Sequence, residues 1–212
     1  MTFILSLLAG IVALCVAVFV HELGHFLAAR LRGIKIDTFS VGMGPVAYSW
    51  LDGSGTTWQV SVLPLGGYVA PDSDSYRQST IVDRLAMVAA GPVFSIAFAV
   101  PMFLLVTMFI TMDVSAIQYA VGKTVEITGL IAEGTYMLVT GQVDLKEAAG
   151  PIGIVDNLRQ SAAEGMGHLA FRMGVISIAL GITNMLPIVP LDGGKIMCLV
   201  FEAILGLSLI HI

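Results

Sequence analysis

Residues 3–20 run for eighteen positions without a charge, and the polar residues that close the run are His21, Glu22 and His25 of HELGH. A run of this length predicts a membrane-spanning helix. It carries on through the motif to about residue 31, where Arg30, Arg32 and Lys35 gather and Gly33 supplies a stop. The pattern then changes. IKIDTFSVGMG and TTWQVSVLPLGGYV are rich in β-branched and aromatic residues, have Gly and Pro at their ends, and flank Asp52-Gly53. That predicts a β-hairpin or small sheet over 34–70. Neither strand alternates cleanly, so two arrangements stay open: a sheet dipping into the bilayer beside the first span, or a plain cytoplasmic hairpin.

PDSDSYRQSTIVD reads as a polar loop, and Arg84 then precedes a second apolar span over 85–112 with Gly91-Pro92 inside it. Residues 113–150 mix Lys123, Glu126, Glu133, Asp144, Lys146 and Glu147 with apolar positions, predicting a short outer segment with an amphipathic surface helix over about 114–138. A mixed stretch, 151–172, leads to a third span over 173–191, which Pro187 and Pro190 interrupt. Broken helices persist in membranes where they are buried in protein or line a cavity. Lys195 marks a turn, and 196–212 begins a fourth span that stops without a polar tail, so the C-terminus reads as truncated. The fold class expected is an α-helical integral membrane protein, one embedded domain of about four transmembrane helices with a small membrane-associated β-hairpin or sheet after the first.

Composition agrees with the pattern. The chain is 57% hydrophobic and 12% charged, with a mean hydropathy of +0.91, whereas soluble domains carry about 25% charged residues. The net charge of −5 contains no basic run, which argues against nucleic acid as a partner and leaves the lipid bilayer. Cys15 and Cys198 lie in apolar segments and read as small hydrophobes rather than a disulfide. The first run lacks a basic leader and an A-x-A site, so it is expected to be retained. Basic residues after the first span put that end inside. The N-terminus is then outside, and the active site faces the cytoplasmic side.

Histidines four apart share a helix face, so His21 and His25 can grip one metal ion with Glu22 beside it as a base. A catalytic zinc takes three protein ligands and keeps one position for water. Asp192 is the only carboxylate in 173–194, and a carboxylate there is costly unless paired or metal-bound. It is the candidate third ligand, because the first and third spans both reach the cytoplasmic half at their C-terminal ends. Glu22 would take a proton from water that zinc acidifies. Asn184, eight residues before Asp192, can donate to a substrate carbonyl, or simply bond a neighbouring helix. Gly66-Gly67 is either a bare turn or an edge strand that an extended substrate approaches. His168, read as lying in a polar loop, and His211 in the tail look incidental.

HELGHFLAAR at 21–30, FSVGMGP at 39–45, LPLGGYV at 63–69, AAGPVFS at 89–95, GPIGI at 150–154 and NMLPIVPLDGG at 184–194 occur in an order and combination that resembles the site-2 intramembrane zinc metalloproteases, above all the regulator-of-sigma-E protease subgroup. The resemblance implies a zinc endopeptidase of the bacterial inner membrane, with His21, His25 and Asp192 on zinc and Glu22 as base. The implied substrate is a single-span membrane protein, such as an anti-sigma factor or signal-peptide remnant, cut within its transmembrane helix. Two departures stand out. Residues 113–149 are too few for the PDZ domain usual in that subgroup, and Val189 stands where the family commonly has Pro. Two other readings remain open on the residues alone: a membrane-anchored zinc hydrolase acting on soluble or loop substrates, and a non-proteolytic, transporter-like metal-binding protein. The absence of inverted repeats weighs against the second.

Overall fold

The computed structural model describes residues 3–108, 115–143 and 150–205. Among the described residues, seven helices and two strands run in the order α1 (Phe3–Leu31), β1 (Ile36–Leu51), β2 (Thr57–Pro71), α2 (Ser73–Gln78), α3 (Ile81–Met108), α4 (Ser115–Val139), α5 (Pro151–Glu164), α6 (Met166–Asn184) and α7 (Asp192–Leu205). By length and composition three can cross a membrane: Phe3–Leu31, Ile81–Thr107 and Met166–Asn184. Their outer faces suit lipid, with Phe3, Ile4, Leu8, Val12, Val93 and Leu105 all exposed. The expected fourth span falls partly in α7, and its remainder, with His211, lies outside the described residues.

The chain divides into two compact units. One combines the chain through Ala17 with residues 95–182. Its core joins Ala99 and Phe103 of α3, Ala120 of α4 and Ile178 of α6. Small residues let these helices close: a Cβ on Gly174 would lie 2.8 Å from the Phe103 ring, and Ser177 Oγ donates to the Ser95 carbonyl at 2.7 Å. A helix is present over the stretch expected to form one, as α4, and it buries Ala116, Ala120 and Thr124 in this packing. The mixed stretch before the third span is ordered as α5, an amphipathic helix that meets α1 at Gly10, where a Cβ would lie 2.9 Å from the Arg159 nitrogen.

The other unit combines residues 18–94 with the chain from Thr183 onward. Here α1 ends as its sequence predicts. Gly33 takes φ +74, and Ile34 N–H reaches back to the Ala29 carbonyl at 2.9 Å, satisfying an end carbonyl of the helix. The hairpin turn is built on Asp52, whose carboxylate accepts from the Ser54 hydroxyl, the Trp58 indole and the Thr56 amide. These donors, the Ser54 hydroxyl foremost, hold its carboxyl well below the usual carboxylate range. The two strands are longer than a simple hairpin needs, and both double back. Gly42 (φ +91) and Gly44 (φ +82) bend β1, and Gly66 (φ +136) bends β2. Phe39 consequently pairs with Trp58 on one side and Val69 on the other. Phe39 stacks on Trp58 at 4.4 Å and Phe26 of α1 meets Trp58 edge-on at 5.2 Å, so the sheet is fixed to the helix that carries HELGH.

Three expectations need correction. The polar loop before the second span contains α2, because Asp72 caps it by accepting from Ser75 N–H at 2.8 Å. The third span starts earlier, at Met166, and its helix ends at Asn184 rather than running to 191. His168 therefore sits in the first turn of that helix, not in a loop.

Candidate metal centre

His21 and His25 lie one turn apart on α1, and Asp192 opens α7. All three meet inside the second unit. The Nε2 atoms of the histidines are 3.3 Å apart, and each is 3.1 Å from Asp192 Oδ2. A tetrahedral zinc with ligands at about 2.0–2.1 Å has ligand–ligand edges of about 3.3 Å. The triangle therefore has the dimensions of one face of such a site. All three are buried, with 5%, 7% and 4% of their surface exposed for His21, His25 and Asp192, and Glu22 beside them has 8%.

Protonation chemistry favours a cation in this triangle. His25 Nδ1 lies 2.9 Å from the Met87 carbonyl oxygen. That oxygen can only accept, so Nδ1 carries the proton and a neutral imidazole has a bare lone pair on Nε2. This lone pair faces a carboxylate oxygen and a second ring nitrogen, an arrangement of electron-pair donors that a bound cation would satisfy. The second carboxylate oxygen, Asp192 Oδ1, accepts from Lys195 Nζ at 3.0 Å, which leaves Oδ2 to face the histidines.

Glycines set the clearances. A Cβ on Gly91 of α3 would stand 2.2 Å from His25 Nε2 and 2.4 Å from Cε1, so the ring occupies the space that any side chain at 91 would need. Gly193 and Gly194 allow the segment after α6 to fold against the start of α7: a Cβ on Gly193 would be 2.2 Å from the Met185 carbonyl oxygen, and one on Gly194 would be 2.7 Å from the Ile188 carbonyl carbon. These contacts carry the chain from Asn184, the last residue of α6, to Asp192. Gly67 lies against Glu22 itself, where a Cβ would be 2.9 Å from Glu22 Cγ and 2.7 Å from the Ser40 carbonyl oxygen. Gly66, its neighbour, makes the bend that brings this strand back along β1.

The sequence-derived candidates thus fall into two groups. His21, Glu22, His25, Asp192 and Gly67 form one cluster, while Asn184 ends the preceding helix and Gly66 shapes the strand. The Met87 carbonyl and Gly91 were not among the candidates. A backbone acceptor leaves no side-chain signal, but Gly91 stands in a helix interior, where glycine costs stability and calls for a packing reason.

Helices apolar enough to span a membrane, with an HExxH pair and a distant aspartate that together could hold a metal ion, make up the architecture of a membrane-embedded metalloprotease. The chain belongs to Peptidase family M50, whose profile matches residues 9–210. It is 22% identical to a zinc metalloprotease candidate of Clostridium acetobutylicum over an alignment of 299 positions, covering 95% of this chain and 88% of the relative. That alignment is longer than this chain, so the relative has stretches between matched segments that find no counterpart here. Protease RseP of Yersinia pestis is 37% identical over 118 residues, 50% of this chain and 26% of that protein. Regulator of sigma E protease of Haemophilus influenzae is 38% identical over 112 residues, 47% of this chain and 25% of that one. Against these two relatives the match spans about a quarter of their length.

Proposed function

We propose that the protein is an intramembrane zinc endopeptidase that hydrolyses a peptide bond within the transmembrane helix of a single-span membrane protein. The observation that carries this reading is the buried triangle of His21, His25 and Asp192, built from one helix apolar enough to span a membrane and from the helix after another. In this reading His21, His25 and Asp192 hold the ion. Zinc bound there would act as a Lewis acid, lowering the pKa of water to about 7 and polarising the scissile carbonyl. Glu22 accepts the proton from the attacking water at a carboxylate oxygen and returns it to the leaving amine. Asn184 donates to a substrate carbonyl.

A membrane helix has its carbonyls bonded internally, so the substrate has to unwind locally before it can be cut. The strand containing Gly67 offers a place for the unwound segment. Residues 67–70 pair with β1 on one side, and their other edge has no strand partner among the described residues. An extended peptide added there would run alongside Glu22. The basic residues that follow α1 support a site on the cytoplasmic side of a bacterial inner membrane, with the N-terminus outside. The substrates fitting this chemistry are single-span proteins such as anti-sigma factors or signal-peptide remnants. Membrane-impermeant thiol reagents added outside are then expected to spare cysteines placed at 72–80 in intact cells, and labelling there would invert the orientation.

The reaction itself is tested with purified full-length protein and a detergent-solubilised single-span substrate, the cut being mapped by mass spectrometry. Cleavage inside the span is expected, accelerated by Gly or Pro near the scissile bond. Cuts confined to the flanking loops would instead support a membrane-anchored hydrolase. In the same assay Gly67→Pro is expected to lower turnover at least about tenfold with zinc retained, because proline removes a backbone donor and distorts the edge. Wild-type rates in that variant would remove the strand from substrate binding.

A further inference from the structure

Arg84 and Glu202 stand 118 residues apart in sequence and form a fork-to-fork pair. Arg84 Nη2 donates to Oε1 at 2.9 Å and Nη1 donates to Oε2 at 3.2 Å. Both residues are buried, at 4% and 8% exposure, and the Tyr76 ring of α2 lies 5.6 Å from the guanidinium carbon. Removing two charges from water carries a large desolvation penalty, and an apolar pair of similar volume often serves stability as well or better. What a bidentate pair adds is direction, because the planar fork accepts its carboxylate in one orientation.

The placement of that direction matters. Arg84, Met87 and Gly91 are spaced i, i+3 and i+7 on α3, and therefore share one face. Met87 holds His25 through its carbonyl, and Gly91 makes room for the same ring. Arg84 grips α7, whose first residue is Asp192. Glu202 lies ten residues beyond Asp192, about 15 Å along the helix. The start of α7 is located by Gly193 and Gly194 against the preceding backbone. A second anchor at Glu202 fixes the remaining freedom, rotation and tilt about that start. A rotation by one residue's worth, about 100°, would carry Asp192 off the histidines altogether.

We infer that the Arg84–Glu202 pair is the clamp that orients α7 and so presents Asp192 to His21 and His25, which makes Arg84 and Glu202 positioning residues of the metal centre. The inference rests on the reading of His21, His25 and Asp192 as zinc ligands. One face of α3 then controls two of the three ligands, the second histidine directly and the aspartate through α7.

The test is zinc affinity of the full-length protein by chelator competition, together with the visible spectrum of the cobalt-substituted form, whose bands report ligand geometry. Arg84→Met combined with Glu202→Leu leaves no buried charge unpaired and is expected to fold. It should bind zinc about 10- to 100-fold more weakly, the range seen when groups supporting metal ligands are removed, and show an altered cobalt spectrum. Arg84→Lys keeps the charge but loses the fork, and should give a smaller loss in the same direction. Wild-type affinity and spectrum in the folded double variant, or in Arg84→Lys if the double variant does not fold, overturns the clamp. Asp192→Ala separates the two ideas: if it keeps full zinc, the ligand assignment itself is wrong. If it loses zinc while the Arg84 variants keep theirs, only the clamp fails.

Discussion

Glu22→Gln is expected to leave about one zinc per chain and reduce proteolysis by at least about 10³-fold. General-base catalysis by a positioned side chain contributes about 10²–10⁴-fold, and the amide of glutamine cannot accept the proton that the carboxylate takes. The residue is 8% exposed beside the two histidines, so no bulk carboxylate can substitute from solvent. Glutamine matches glutamate in size, and Glu22 is not in the triangle of ligand atoms. The metal should therefore stay, and metal analysis alongside a cleavage assay checks both halves of the expectation. Turnover above a tenth of wild type with full zinc would assign the proton transfer to another group. Zinc loss with the activity would mean that Glu22 supports the ligands rather than the reaction.

Much of this site was legible because its chemistry is unusual for its surroundings. Charged and ionisable residues are so costly in an apolar helix that HELGH and the single carboxylate of 173–194 announce themselves. The hairpin turn at Asp52-Gly53 and the helix stop at Gly33 were equally plain, since both depend on local turn chemistry. What could not be read was anything decided by tertiary approach. In the sequence Arg84 reads only as a basic residue preceding the second span, yet it is buried against Glu202. The available signal was Glu202 itself, the one acidic residue in the apolar stretch from 196 to 212, which demanded a partner. The doubling-back of β1 and β2 also escaped, because glycine marks where a strand may bend and not where it pairs afterwards. The segment after Pro71 looked like loop because its residues are polar, but Asp72 followed by a short run of polar residues is also a capped helix start.

Gly91→Ala is expected to damage metal binding severely for the addition of a single methyl group. The Cβ it adds would sit 2.2, 2.4 and 2.8 Å from Nε2, Cε1 and Cδ2 of His25. The obstacle is an aromatic ring held by the Met87 carbonyl at 2.9 Å, not the loose end of a flexible chain. Either the ring turns away, giving up both that hydrogen bond and its place opposite Asp192, or α3 moves away from α1. Separating the helices is resisted on the same face, where Gly24 already brings α1 close to the Ala90 carbonyl and Phe94. Overpacking of this kind costs about 1–3 kcal/mol of stability, so the protein should still fold, with zinc affinity reduced at least about 100-fold and proteolysis lost with it. Gly122→Ala in α4 is the matched control. A Cβ there meets nothing within 4 Å, and replacing glycine inside a helix gains about 0.5–1 kcal/mol. It should therefore retain zinc and activity while melting slightly higher. Chelator competition on both variants decides the matter. If Gly91→Ala binds zinc as tightly as Gly122→Ala, His25 does not need the space that glycine leaves, and its assignment as a ligand in this geometry falls.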